Sequence, residues 1–144
     1  MRKYNYFTTE FAIIIHDLIV EISGGYGGIN DRGLIESVVG FIQNNNYYPK
    51  FHIKLSHLIF SVALNHPFND GNKRSAVALG AYFLIINGYE NLVGKYILEM
   101  ENIVLWVVEK KVSKSLLTKL MKSLTQTGDF SEDLKIELLK IVSR

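Results

Sequence analysis

Apolar residues recur at helical spacing along almost the whole chain. Phe11, Ile14, Ile15, Leu18 and Ile22 fall on one face of a first predicted helix, with Thr8 or Thr9 as its cap and Gly24-Gly25 as its stop. Asn30 or Asp31 opens a second helix, which carries Leu34, Ile35, Val38, Val39 and Ile42 on one side and ends at Asn44-Asn45-Asn46. A linker from Tyr47 to Phe51 follows. A third helix is predicted from about Phe51 to Asn65, because Pro67 pushes His66 out of helical geometry. The fourth begins near Lys73, continues through Asn87 and meets its turn at Gly88. It is apolar nearly all round, which places it at the centre of the fold. A fifth runs roughly from Tyr96 to Lys110, and Ser113 caps a sixth that ends near Leu124. A polar break from Thr125 to Asp129 precedes a last amphipathic helix with Leu134, Leu138, Ile141 and Val142 on a shared face.

This pattern predicts an all-α fold, a compact helical bundle around the central apolar helix. The β-branched residues of the first and fifth segments allow a strand reading, but their length and period favour helix. Residues 1–125 form the expected domain, and residues 126–144 an amphipathic helical extension.

Composition narrows the function classes. With 144 residues and 48% hydrophobic positions the chain can bury a real core, which excludes global disorder. A formal charge of +2 without a basic block argues against direct nucleic-acid binding. The absence of cysteine excludes disulfides, thiolate catalysis and cysteine-ligated metal. The first residues lack a signal-peptide core. The longest strongly apolar run, Ala76 to Ile86, is well short of the ~20 residues a membrane span needs. A cytoplasmic location and no membrane partner are expected.

The chemistry concentrates in His66-Pro67-Phe68-Asn69-Asp70-Gly71-Asn72-Lys73-Arg74. The start of a helix offers unpartnered N–H groups and the positive end of its dipole. Gly71 lets the chain turn tightly and lets a ligand approach the backbone. Lys73 and Arg74 occupy the dipole's wrong end for cations, a placement that makes sense if phosphate is the missing counter-charge. Asp70 supplies a hard oxygen ligand for magnesium bridging phosphates. Asn72 either fixes the loop or donates to a phosphate oxygen. A neutral His66 imidazole accepts the proton of an attacking hydroxyl. Each residue alone has an ordinary role as cap, turn or solvated charge; their joint occurrence in this order carries the functional reading.

The nine residues resemble the signature of the Fic/Doc superfamily, H-x-F-x-D/N-A/G-N, in the K-R form of its Doc toxins. The likeness extends to His16-Asp17, to Gly24 through Ile29, to Asp31-Arg32-Gly33-Leu34-Ile35-Glu36-Ser37, to Tyr48-Pro49 and to Asn87-Gly88-Tyr89, covering about Phe7 to Leu124. Doc-type toxins transfer the terminal phosphoryl group of a nucleotide to a translation factor and halt protein synthesis. The resemblance therefore implies a protein kinase with His66 as base, Asp70 as magnesium ligand, Asn72, Lys73 and Arg74 as phosphate binders beside Gly71, and ATP or a similar nucleotide as donor. Fic-type enzymes instead transfer AMP, and their motif has glycine in the place of Lys73 and a second arginine in the place of Val77. The family's inhibitory motif S/T-x-x-x-E-G/N is absent, since Ile86 and Ile97 precede Glu90-Asn91 and Glu101-Asn102. Restraint is then expected from a separate antitoxin whose disordered tail folds into a groove. Nucleotidyl transfer of the Fic type and a catalytically inactive partner-binding module are the rival readings.

His16, His52, His57 and His66 form no i, i+4 ligand pair, which argues against zinc. Gly24 to Gly28 lacks the lysine and hydroxyl residue of a P-loop and reads as a tight turn that can border the nucleotide. The last helix either packs on the bundle, covers the antitoxin groove or mediates self-association.

Overall fold

The computed structural model describes residues 3–143. Its helices are α1 (Thr9–Ser23), α2 (Arg32–Phe41), α3 (Phe51–Asn65), α4 (Asn72–Ile86), α5 (Val93–Val108), α6 (Lys114–Thr127) and α7 (Glu132–Val142), with a 3-10 turn at Glu90–Leu92. Among the described residues the β pairing amounts to one isolated antiparallel bridge between Ile29 and Phe68. The fold is all-α. No helix among them is long and apolar enough to cross a membrane.

The central element is α4, packed against α3, α5 and α1, while α3 also carries α2 and α6. Leu58, Ile59, Leu79, Phe83, Leu84, Met100, Val104, Leu117 and Leu120 meet in a single buried core. At Gly80 the absence of a side chain lets α5 come close, so that the buried Tyr96 hydroxyl donates to the Val77 carbonyl at 3.0 Å. Serine and threonine side chains start three helices. Thr8 Oγ1 accepts from the Phe11 N–H at 3.1 Å, Ser113 Oγ from Leu116 at 3.1 Å and Ser131 Oγ from Leu134 at 3.3 Å. The end of α2 is closed by a lysine from another helix. Lys54, buried in α3, donates to the Ile42 carbonyl at 2.6 Å and to Asn45 Oδ1 at 2.7 Å.

Three sequence expectations need adjustment. The apolar stripe of α1 is divided: Phe11 and Ile15 pack on the core, while Ile14, Leu18 and Ile22 are 60%, 48% and 76% exposed and Ala12 and His16 are buried. The buried His16 sets the rotation of the helix by bonding beneath the loop between α3 and α4. The sixth helix runs on to Thr127, so the polar break is confined to the left-handed Gly128 and the residues up to Ser131. In α7, Leu134 is buried and Leu138 and Ile141 pack on the core, but Val142 is 45% exposed. Phe130 joins the core ahead of that helix, and Asp129 ties its start to α5 through Lys95 at 3.0 Å.

His57 in α3 gives the fold a pH dependence. It is buried, its Nδ1 accepts from Lys114 Nζ at 2.8 Å, and desolvation, then the lysine's charge, hold it down at about 4. The unfolded chain takes up this proton near the ordinary histidine value of 6.5. Stability is therefore complete above about pH 6.5 and falls as pH drops towards 4, by on the order of 2 kcal/mol. Denaturation midpoints measured across that window should show the fall, and His57→Gln should flatten it.

Candidate active site

The loop between α3 and α4 is held from both sides. Pro67 prevents α3 from continuing, and His66 takes left-handed dihedrals, φ 51° and ψ 57°. Residues 24–31 form a strap across this loop. Asn30 Nδ2 donates to the His66 carbonyl at 2.8 Å, the N–H groups of Asn30 and Asp31 both reach the Pro67 carbonyl at 2.9 Å, and the Asn69 N–H reaches the Gly28 carbonyl at 3.1 Å. Phe68 points inward, 1% exposed, and lies flat on the His16 ring at 3.8 Å between centroids and 3° between planes. His16 Nε2 contacts the Asp70 carbonyl at 2.6 Å, and its Nδ1 lies 3.1 Å from Asp17 Oδ1.

Asp70 faces the opposite way, into the cavity. Its Oδ2 accepts from the Tyr26 N–H at 3.0 Å and its Oδ1 from the Gly71 N–H at 2.8 Å. These two N–H donors, Tyr26's first, hold its carboxyl below the usual carboxylate range, with the Arg74 charge adding to them. Gly25 has to be glycine for this approach. Its φ is +117°, and a Cβ there would meet Asp70 Oδ2 at 2.5 Å and Arg74 Nη2 at 3.0 Å.

Gly71, with φ +77°, turns the chain into α4, whose first backbone bond is the Ser75 N–H to the Gly71 carbonyl at 2.9 Å. The N–H groups of Asn72, Lys73 and Arg74 therefore precede any i→i−4 bond and sit at the positive end of the dipole. Among the described residues Lys73 and Arg74 form no salt bridge to a carboxylate; Arg74 Nη1 donates to the Gly24 carbonyl at 2.9 Å instead.

A cavity of about 460 Å³ lies over this turn, lined by His66, Asp70, Gly71, Asn72, Lys73 and Arg74, with Ala63 and Val108 as apolar walls. Its size is that of a small-molecule site, for which about 300–1,000 Å³ is usual. All six residues singled out in the sequence are thus brought together. They differ in role. The Asn72 amide is turned to Phe68, donating to its carbonyl at 2.9 Å and accepting from its N–H at 3.0 Å, so its side chain fixes the loop and its backbone N–H is what the helix start offers. Asn72→Ala leaves both buried Phe68 groups unpaired, an expected loss of about 2 kcal/mol, readable as a lower denaturation midpoint.

Sequence reasoning leaves His16, Tyr26 and Asn30 without a site role, though the resemblance takes in His16 and Tyr26, and reads Gly25 only as part of a turn that can border the nucleotide. The residues also fit magnesium in one particular way. Among the described residues no cluster of three or more metal-ligating side chains exists. Asp70 is a single ionised carboxylate whose oxygens each keep a lone pair, which suits an ion carried in largely by phosphate oxygens and water.

The helical fold, the strap and the cavity at the α4 N-terminus coincide with a known family: the family model for the Fic/DOC family matches residues 6–84, and the chain belongs to that family. Two curated relatives carry Doc names. "Protein kinase doc" of Escherichia phage P1 is 33% identical over 85 residues, 56% of this chain and 67% of that protein. "Toxin Doc" of Mycolicibacterium smegmatis is 37% identical over 81 residues, 51% of this chain and 62% of that protein.

Proposed function

We propose that this chain is a Doc-type toxin that transfers the terminal phosphoryl group of ATP, or of a similar nucleotide, to a hydroxyl of a protein target. The target class expected for such a toxin is a translation factor, and the outcome is arrest of protein synthesis. One observation carries the reading: two adjacent cations at the N-terminus of α4, neither in a salt bridge among the described residues, face a cavity that also holds a free-standing histidine and an ionised aspartate. The relatives' names support the choice of chemistry.

The residues divide the work. The backbone N–H groups at the start of α4, with Lys73 and Arg74, seat the phosphates and neutralise the charge that develops on them. Asp70 holds magnesium, which when bound shields the phosphate oxygens. His66 takes the proton of the target hydroxyl as its oxygen forms a bond to the terminal phosphorus. The bond from that phosphorus to the bridging oxygen breaks, and the nucleoside diphosphate leaves with the electron pair.

Val77 stands where Fic-type enzymes have their second arginine, and here it lines an apolar recess of about 260 Å³ with Val104 and Leu105, behind Lys73 and Arg74. That recess supplies no second guanidinium, which disfavours the nucleotidyl-transfer pose. The experiment that separates the two uses ATP labelled at either end. Label from the terminal phosphate should appear on the target protein, and label from the α-phosphate should not; the reverse result replaces kinase with nucleotidyl transferase.

A separate antitoxin completes the proposal. The groove of about 300 Å³ between α1, α4 and α5, lined by Ile19, Val77, Ala78 and Ile97, is where its tail would fold. Arg74 belongs to both the groove and the phosphate cavity, so a tail seated there would meet a phosphate-binding residue directly.

A further inference from the structure

We infer that His16, outside the nine-residue motif, is the residue that positions Asp70 for its metal, acting through a backbone hydrogen bond. The inference rests on the reading of Asp70 given above and assigns the work behind it.

Asp70 has two faces. Its carboxylate enters the cavity, and its carbonyl points back into the protein. That carbonyl can only accept, so the 2.6 Å contact assigns an N–H to His16 Nε2. The ring is fully buried and cannot drift: Phe68 covers one face at 3.8 Å in parallel, and a Cβ on Gly71 would lie 3.5 Å from its Cδ2 and Nε2. The same peptide unit that accepts from His16 continues into the Gly71 N–H, which donates 2.8 Å to Asp70 Oδ1. Fixing the carbonyl therefore fixes the plane of the N–H that orients the carboxylate. The strap secures the other oxygen through Tyr26, so His16 behind and Tyr26 in front together leave the carboxylate one direction in which to point. The ring's other nitrogen, Nδ1, lies 3.1 Å from the exposed Asp17 carboxylate, a contact that does not reach the loop, so the bond from Nε2 is the one that ties the ring to Asp70. An apolar side chain of similar size would fill the space against Phe68 and avoid burying an N–H donor, and the buried donor is matched because the Asp70 carbonyl needs it.

Two substitutions separate the donor from the ring. His16→Phe keeps the flat stack on Phe68 and the volume but has no N–H. His16→Gln keeps an N–H at the right reach and gives up the ring. Binding of the manganese–nucleotide complex, followed by the paramagnetic resonance of free manganese, should weaken about 10- to 100-fold in His16→Phe, the usual cost of losing the partner behind a metal ligand. His16→Gln should recover most of it, and binding of metal-free nucleotide should change little in either. Amide exchange at Gly71 and Tyr26 should quicken in His16→Phe alone. Equal metal–nucleotide affinity in His16→Phe and wild type overturns the inference, as does a His16→Gln variant that falls as far as His16→Phe.

A measurement on the unaltered protein covers the case in which a variant does not fold. The His16 Nε2–H should give a slowly exchanging proton resonance that moves on adding magnesium with nucleotide and stays in place with nucleotide alone; no movement overturns the inference. If the unaltered protein binds no metal–nucleotide at all, the proposed function fails and this inference fails with it. If it binds and the His16 variants behave like wild type, only the inference fails.

Discussion

Replacing His66 by alanine is expected to lower phosphoryl transfer to the protein target by about 10²–10⁴-fold, the range for loss of a general base. Nucleotide affinity should stay near that of the unaltered protein. The argument is geometric. The His66 ring stands exposed at the cavity rim, and no hydrogen bond among the described residues engages it. Its backbone alone is committed, through the bond from Asn30. Its dihedrals are left-handed, which alanine adopts at a cost of about 1–2 kcal/mol while asparagine tolerates them. His66→Asn is therefore the companion variant: it keeps the backbone and removes the base. Loss of label transfer in both variants assigns the proton acceptor. Undiminished growth arrest on expressing both would instead favour a module that acts by binding.

The second large effect concerns the fold. Gly80→Ala is expected to destabilise the protein by about 3 kcal/mol, although alanine is the better helix former by about 1 kcal/mol. A Cβ at this position would collide with the Tyr96 hydroxyl, lie 2.9 Å from its Cζ and 3.2 Å from Ile59 Cγ1. Tyr96 is fully buried and has no space to retreat, and pushing it aside also unpairs its hydroxyl from the Val77 carbonyl. Burial holds the Tyr96 phenol in its neutral form, well above the usual tyrosine range, so the hydroxyl stays a donor at any pH the fold survives. Denaturant titration gives the loss directly. Adding Tyr96→Leu to Gly80→Ala should restore part of it, since the colliding atoms are then gone; a double variant no more stable than Gly80→Ala alone would place the cost elsewhere.

Where the sequence was informative, the reason is local. Thr8 and Ser113 mark helix starts because a hydroxyl bonds three residues ahead, and Gly24 marks a stop because its backbone takes a positive φ. The motif was legible because seven of its nine residues, close together in the chain, line one cavity. The orientation of α1 was not. Its apolar stripe obeys helical period, and period cannot say which residues of the stripe meet the core; the deciding contact is between His16 and a carbonyl 54 residues away. The strap was hidden for the same reason, since glycines at 24, 25, 27 and 28 signal a turn and leave open what crosses it. Asn72 offered two readings at the sequence level, and its geometry selects loop fixation because both ends of its amide meet the backbone of Phe68.

The strap's bonds to the loop and to Arg74 span 36 to 50 positions along the chain, and Val108 in α5 closes the far side of the cavity. Synthesis proceeds from the N-terminus, so the strap leaves the ribosome long before anything it fastens. The cavity over the α4 turn therefore gains its last wall only after the strap, the loop and α4 have all been made.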